Sequence, residues 1–218
     1  MGKVSIFTKE QEIILVEVAK NDFLREQFYF TGGTALSTVY FKHRHSEDLD
    51  LFSEKSFDAQ ELLDIVEEWS KKYTLTITRR QTGNIHVYLL TFPNKEILKV
   101  DFVSHPYKRI EKGTVFRDIQ VDSLVDIATN KLLTINQRTE IKDFVDLYFL
   151  LKHYTVWDLM EGLRVKYNMK TEPFFIASDF TKMEDFKGLP RMIKPLSLSE
   201  LKSFFREEAK KLGRQAVE

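Results

Sequence analysis

The sequence of 218 residues contains no cysteine. Disulfide bonds, thiolate metal sites and cysteine nucleophiles are therefore excluded, and such a composition is typical of a reducing compartment. The sequence also has no run approaching the roughly 18 consecutive apolar residues of a membrane-spanning helix. Its first twenty residues mix acidic and basic side chains with apolar ones, unlike a secretory signal. We therefore predict a cytoplasmic protein with no membrane partner.

Glycine and proline are scarce, with eight and five residues, and the sequence has no internal repeat, low-complexity tract or long linker. Hydrophobic residues make up 43% of the chain and aromatic residues 13%. A chain of this length and composition can bury one substantial core or two modest ones.

No excess of either charge is present, because 33 basic residues balance 33 acidic ones. Residues 45–68 nevertheless contain nine acidic residues and one basic residue, and residues 71–117 contain ten basic and three acidic residues. These blocks could form a surface that attracts cations beside one that attracts phosphates, or they could mix in space and cancel. The basic block is compatible with RNA, but a neutral chain does not by itself indicate RNA binding.

Apolar periodicity predicts an α/β part followed by a mostly helical part. It indicates a helix over about residues 8–20, a second in "TALSTVYF" and a half-buried strand in "DLDLF". A further helix begins behind the capping-box pattern of Asp58 and Glu61. The strand-like runs "TLTITRR", "NIHVYLLTF" and "ILKVDFVSH" are separated by Gly83-Asn84 and Pro93-Asn94. We predict an α/β domain over residues 1–119 and a helical C-terminal domain over residues 120–218.

The Gly-Gly doublet precedes the predicted helix "TALSTVYF". Glycine permits positive φ and close backbone approach, so Gly32 and Gly33 could present N–H groups to a phosphate at the positive end of a helix dipole. The Thr34 hydroxyl adds a donor at the same place. A Gly-Gly pair before a helix can also be an ordinary turn.

Asp48 and Asp50 lie at alternate positions of the predicted strand, so both carboxylates project from one face. Two like charges so close are unfavourable unless a cation lies between them, and a hard divalent cation with oxygen ligands is the usual solution. The pair therefore indicates Mg²⁺ or Mn²⁺, although a solvated outer face could show the same pattern.

The order of these motifs carries more information than either motif alone. A phosphate-holding turn, a helix and then a metal-holding strand is the layout of the nucleotidyltransferase fold of DNA polymerase β. Asp101, in "LKVDFV", resembles the third carboxylate of that fold, which often binds metal and serves as general base. The alternative for Asp101 is an aspartate that caps a turn at the end of a strand.

Four stretches together resemble the AbiEii/AbiGii toxin-type nucleotidyltransferases: "FTGGTAL", "HRHSEDLDLF", "IATNKLL" and "EIKDFVDLYFLL". The resemblance covers about residues 28–152, and residues 153–218 contain no motif. The matching residues are Gly32, Gly33 and Thr34; Arg44, Ser46, Asp48 and Asp50; Lys131; and Lys142, Asp143 and Asp146. It implies an α+β fold, with a nucleotidyltransferase-type mixed β-sheet flanked by helices and followed by a mostly helical C-terminal part.

The resemblance assigns Lys131 to the triphosphate. Lys131 lies at the edge of an apolar helix stripe, from which its ammonium could turn inward or extend to water. We therefore expect Lys131→Ala to reduce turnover sharply and to leave folding nearly unaffected.

For the remaining motif residues the resemblance implies supporting roles. Asp143 would complete the active site, with Lys142 and Asp146 behind it, but Lys142 and Asp146 could instead form an i,i+4 ion pair. Arg44 and Ser46 could contact phosphate or fix the Asp48–Asp50 strand.

The implied activity is metal-dependent transfer of a nucleoside monophosphate from a nucleoside triphosphate (ATP, GTP or CTP). The implied acceptor is a tRNA 3′ end or a protein hydroxyl, and the protein would be the toxin of a toxin–antitoxin pair with a cognate antitoxin protein as partner. Two alternatives are a nucleotidyltransferase for a small molecule such as an antibiotic and a non-catalytic nucleotide-binding module. A glycosyltransferase also uses an Asp-x-Asp motif, but the preceding Gly-Gly-Thr argues against that class.

Overall fold

The structure is a computed structural model that describes residues 6–215. Within this range the chain divides into two compact units. The first comprises residues 6–40, Ser46–Lys108 and Gly113–Asp122, and the second comprises Phe41–His45, Arg109–Lys112 and residues 123–215. The helical unit therefore includes two short segments that precede residue 120 in the sequence.

The first unit is built on a five-stranded mixed β-sheet with the strand order β1-β2-β5-β4-β3. Its strands are β1 (Tyr29–Thr31), β2 (Leu49–Ser53), β3 (Thr76–Thr82), β4 (Ile85–Thr91) and β5 (Ile97–Ser104). Strands β2 and β5 are parallel, and the other neighbouring pairs are antiparallel. A separate two-stranded ribbon contains β6 (Val115–Phe116) and β7 (Ile119–Gln120). The mixed sheet and its flanking helices confirm the predicted α+β class.

The helices of this unit are α1 (Lys9–Lys20), α2 (Asp22–Gln27), α3 (Gly32–Ala35), a π-helix that continues α3 (Leu36–Phe41) and whose last residue belongs to the second unit, and α4 (Ala59–Tyr73). Thr8 and Gln11 form a capping box at the start of α1. Asp58 caps α4 by accepting from the N–H groups of Gln60 and Glu61. Helix α2 was not predicted from the sequence, although Asn21 caps it by accepting from the Leu24 N–H.

The sheet has one buried face and one partly exposed face. Leu51, Tyr88, Val100 and Phe102 are fully buried. Successive side chains of a strand alternate between faces, so Asp101, which lies between Val100 and Phe102, projects from the opposite face. The partly exposed face therefore carries Asp101 and, opposite it on β2, Asp50.

The second unit contains α5 (Leu124–Gln137), α6 (Ile141–Leu150), α7 (Val156–Tyr167), α8 (Pro173–Thr181), a 3₁₀-helix (Lys182–Asp185) and α9 (Leu198–Gln215). Aromatic side chains join three of these helices, since Phe205 packs with ring centroids 5.3 Å from Phe144 and 5.0 Å from Phe180. No helix in the described part of the chain combines the length and the apolar character needed to cross a membrane.

Buried polar contacts explain why Arg109–Lys112 belongs to the helical unit. Asp126 of α5 accepts hydrogen bonds from the backbone N–H groups of Ile110 (2.9 Å) and Glu111 (3.1 Å). Lys166 of α7 donates to the same carboxylate at 2.6 Å, and both side chains are fully buried. Because an unpaired buried charge is costly, this pair constrains α5, α7 and the segment together.

Candidate functional site

The predicted carboxylates Asp48, Asp50 and Asp101, here called the carboxylate row, lie in the first unit. In the parallel pairing of β2 with β5, Asp50 lies directly opposite Asp101, at the roughly 4.8 Å spacing of neighbouring strands. Asp48 directly precedes β2, separated from Asp50 by the buried Leu49. The structure therefore brings the three carboxylates to one face of the sheet.

Lys99, which was not predicted as a site residue, lies beside these carboxylates. Its Nζ is 2.5 Å from Asp101 Oδ2 and 4.0 Å from Asp48 Oδ2. Burial acts to lower the pKa of Lys99, but the hydrogen bond to Asp101 and the charges of Asp101, Asp48 and Asp50 outweigh it and raise the pKa. Side chains two residues apart on a strand share a face, so the sequence already indicated that Lys99 lies on the same face as Asp101.

The carboxylate row fits a hard divalent cation in chemistry, because it offers only oxygen ligands and already attracts one positive group, the ammonium of Lys99. Among the described residues, no three side chains of histidine, aspartate or glutamate are arranged as an assembled metal site. The ammonium of Lys99 contacts Asp101 at 2.5 Å and lies 4.0 Å from Asp48. A metal ion held by these two carboxylates would compete with this ammonium.

Gly32 and Gly33, here called the glycine turn, are the first two residues of α3, so the helix begins earlier than predicted. The glycine turn contacts the carboxylate row directly. Gly32 has a φ of +73°, and a Cβ at this position would lie 2.7 Å from Asp50 Cγ. The hydroxyl of Thr34 donates to the backbone carbonyl of Asp48, and Thr34 is fully buried. The two motifs are therefore parts of one local structure. In this structure the Thr34 hydroxyl holds the strand, and its predicted contact with phosphate stays a prediction.

Gly32→Ala is expected to damage both the turn and the carboxylate row. A side chain at positive φ costs roughly 1–2 kcal/mol, and the new methyl group would also displace the Asp50 carboxylate. Gly83→Ala is the matched control, because Gly83 has a φ of +56° but no atom lies within 4 Å of its Cβ position. Urea unfolding of both variants should show the larger loss for Gly32→Ala. Equal losses would contradict the close approach of the turn to Asp50.

In the second unit, Asp146 of α6 is the centre of a buried ion cluster. Its carboxylate accepts from Arg44 Nε at 2.6 Å and Arg44 Nη2 at 2.8 Å. His43 Nε2 lies 2.7 Å from Oδ1, and Lys131 Nζ lies 2.7 Å from Oδ2. The side chains of Asp146 and His43 are fully buried, and that of Arg44 is 3% exposed. Burial and hydrogen bonding of this kind are typical of a group that fixes a structure.

Asp143, one turn before Asp146, shares this cluster. Lys131 Nζ donates to its Oδ1 at 2.7 Å, and Arg138 Nε donates to its Oδ2 at 2.8 Å. Lys142 pairs with Glu140 at 3.0 Å. The alternative i,i+4 pairing of Lys142 with Asp146 is therefore wrong, because Asp146 faces the interior and its oxygens bind Arg44, His43 and Lys131.

The structure also corrects the expectation for Lys131. Its side chain is 8% exposed and lies 2.7 Å from both Asp143 and Asp146. The charges of these two aspartates raise its pKa although burial acts to lower it. Removal of the ammonium would leave two buried carboxylates with fewer partners, so Lys131→Ala cannot be nearly neutral for folding. Periodicity placed Lys131 at the edge of a stripe but could not show that α6 covers that edge.

The remaining two predicted residues, Arg44 and Ser46, lie in the connection between the π-helix and β2. Arg44 donates to the Asp146 carboxylate, and its Nη1 also donates to the backbone carbonyl of His45 at 2.9 Å. The Ser46 carbonyl accepts from the Gln11 side chain of α1 at 2.9 Å. Arg44 is thus part of the buried ion cluster, and Ser46 makes this contact through its backbone, so the predicted roles of both side chains at the site stay predictions.

The stability of the chain is expected to fall on acidification in two windows. Burial lowers the pKa of His43 below its ordinary 6.5, so the unfolded chain binds more protons and stability decreases as the pH falls below that value. The charge of Lys131 and other contacts hold the pKa of Asp143 and Asp146 below their ordinary 3.8 despite burial. Their contribution is complete above that value and is lost as the pH falls through the depressed pKa.

Urea unfolding at a series of pH values measures both windows. His43→Gln should make the decrease between about pH 7 and 5 shallower. Part of the decrease should remain, because burial also lowers the pKa of His86. An unchanged slope in His43→Gln would contradict a neutral, buried His43.

Comparison with known proteins shows first the fold and then the family. Two crystal structures from Helicobacter pylori, a candidate nucleotidyltransferase and JHP933, each match with a TM-score of 0.60 at 20% identity. The alignments cover 96% of this chain and 97% and 94% of theirs, which shows that the fold is shared. An uncharacterized protein of Aquifex aeolicus (strain VF5) is 32% identical over 157 residues, 70% of each chain. The family described as "Nucleotidyl transferase AbiEii toxin, Type IV TA system" matches residues 13–217, and the chain belongs to this family. The predicted resemblance is thus confirmed, and it extends beyond residue 152.

Proposed function

We propose that this chain transfers a nucleoside monophosphate from a nucleoside triphosphate to an acceptor hydroxyl, with Mg²⁺ or Mn²⁺ held by the carboxylate row. One observation carries the proposal. Asp50 and Asp101 lie opposite each other on adjacent parallel strands, with Asp48 on the same face and a cation already among them. The glycine turn, which is proposed to approach the phosphates, lies against Asp50.

The proposed chemistry assigns each residue a task. Asp48, Asp50 and Asp101 would hold the divalent cation, which would supply positive charge against the charge that develops on the triphosphate. Gly32 and Gly33 allow the backbone to approach the phosphates. The acceptor oxygen forms a bond to the α-phosphorus, the bond to the bridging oxygen of pyrophosphate breaks, and Asp101 takes the acceptor proton. The roles of Lys131 and Asp143 toward the nucleotide remain predictions.

The proposed acceptor is a tRNA 3′ end or a protein hydroxyl, and a cognate antitoxin is the proposed partner. Membership of a toxin family supports a macromolecular acceptor over an antibiotic. The ten basic residues within 71–117 offer charge for an RNA backbone.

Incubation with each α-³²P-labelled nucleoside triphosphate, with and without total tRNA, tests this proposal. We expect label on RNA or on protein in Mg²⁺ and no label in EDTA. Label on RNA and label on protein identify the acceptor class. If nucleotides bind but no label is transferred from any of them, the result would instead support a non-catalytic binding module.

A further inference from the structure

Lys99 is placed to neutralise the carboxylate row from within the same sheet. It lies on β5 two residues before Asp101, so strand alternation directs both side chains to one face. Its ammonium makes a 2.5 Å contact with Asp101 and is 4.0 Å from Asp48, and the charges of all three carboxylates act on it. Lys99 is thus a cation that the predicted metal ligands share.

Lys99 reduces the electrostatic repulsion within the carboxylate row of the metal-free protein. Three carboxylates on one sheet face repel each other, and one ammonium offsets part of that repulsion. The Lys99 side chain is 37% exposed and that of Asp48 is 36% exposed. The four-carbon side chain of a partly exposed lysine has many rotamers, so its ammonium can leave a carboxylate and be solvated by water instead. The ion pair can therefore open without unfolding of the strand.

We propose that Lys99 is an internal counter-cation that occupies the divalent-metal position of the carboxylate row and must be displaced when metal binds. The proposal rests on the proposed metal-dependent function. Lys99 is a positioning residue in this scheme, since it keeps the carboxylates together before loading and sets the affinity for the metal by competing with it. The displaced ammonium then lies beside the loaded site.

Lys99→Met separates this competition from an ordinary structural role. Methionine keeps an unbranched side chain of similar length without the charge, so the metal no longer displaces a cation. We expect Mn²⁺ to bind to the nucleotide-free variant about tenfold more tightly than to the wild type, because one opposing charge is gone. We also expect its melting temperature in EDTA to decrease and its rise on Mn²⁺ addition to increase. Titration calorimetry and thermal unfolding measure these effects.

Two further variants complete the design. Lys99→Arg retains the charge and should keep the affinity for Mn²⁺ near that of the wild type. Lys71→Met is the matched control, because Lys71 is an exposed lysine on α4 and its loss should leave Mn²⁺ affinity unchanged. A purely structural lysine would give equal or weaker Mn²⁺ binding in Lys99→Met, and that result would overturn the proposal.

A second measurement uses the wild-type protein and does not depend on folding of a variant. Acetic anhydride acetylates accessible amines, and mass spectrometry gives the fraction modified at each lysine. Mn²⁺ should increase acetylation of Lys99 severalfold and leave Lys71 unchanged, whereas protection of Lys99 by Mn²⁺ would contradict displacement. If wild type and Lys99→Met bind Mn²⁺ equally, the counter-cation role is wrong but the metal site stands. If neither binds Mn²⁺, the metal-dependent function itself is wrong.

Discussion

Asp146→Asn is expected to destabilise the protein by about 3–5 kcal/mol, the cost typical of removing one partner from a buried ion pair. The substitution preserves shape, so the loss would come from charge. Arg44 and Lys131 would remain buried with their favourable counter-charge reduced, and His43 would lose a charged acceptor. Because a small domain is stable by only about 5–15 kcal/mol, such a loss can prevent folding at growth temperature.

Urea unfolding or thermal melting measures this effect, and a surface ion pair provides the control. Glu161 bonds Arg164 on the exposed side of α7, and both side chains are more than half exposed. Glu161→Gln should therefore change stability little, since exposed pairs contribute little. A wild-type unfolding curve for Asp146→Asn would show that the cluster around Asp146 does not stabilise the helical unit.

The strands of the sheet that follow from alternating polarity and turn residues were predicted from the sequence. Alternating polarity in "DLDLF" indicated β2, and the turn pairs Gly83-Asn84 and Pro93-Asn94 separated β3, β4 and β5 correctly. The short α2 was missed because six residues carry little periodicity, although its cap, Asn21, was visible. Boundaries therefore depended on turn and cap residues more than on the apolar pattern.

The partners of charged residues could not be predicted, because they lie far apart in the sequence. Arg44 and Asp146 are separated by 102 residues, and helical spacing around Asp146 pointed instead to Lys142. The sequence did show that Asp48 and Asp50 share a face, because that relation is local. It could not show that β5 pairs parallel to β2 with Asp101 opposite Asp50, which is a tertiary relation. Residues two apart on a strand share a face, as predicted for Asp48 and Asp50. The same rule, used around Asp101, would have identified Lys99.

Asp50→Asn and Asp101→Asn are both expected to reduce label transfer from α-³²P nucleotides by about 10²–10³-fold or more, the size typical of losing one electrostatic contributor to a transition state. In EDTA the two variants should differ in stability. Asp101→Asn loses the 2.5 Å ion pair with Lys99 and should melt lower than the wild type. Asp50→Asn leaves that pair intact and relieves repulsion within the carboxylate row, so its melting temperature should stay level or rise.

Asp58→Asn is the matched control for this pair, because it removes an acidic charge from the same acidic block without touching the carboxylate row. Asp58 caps α4, and asparagine caps helices about as well as aspartate. This variant should therefore keep both its stability and its label transfer. In Mg²⁺ with nucleotide the wild type and Asp58→Asn should be stabilised, whereas Asp50→Asn and Asp101→Asn should lose most of that stabilisation, since bound ligand stabilises only a state that binds it. Full transfer by Asp50→Asn, or an undiminished ligand-induced shift in both carboxylate variants, would show that these aspartates are structural and that the proposed nucleotidyl transfer does not take place on this sheet.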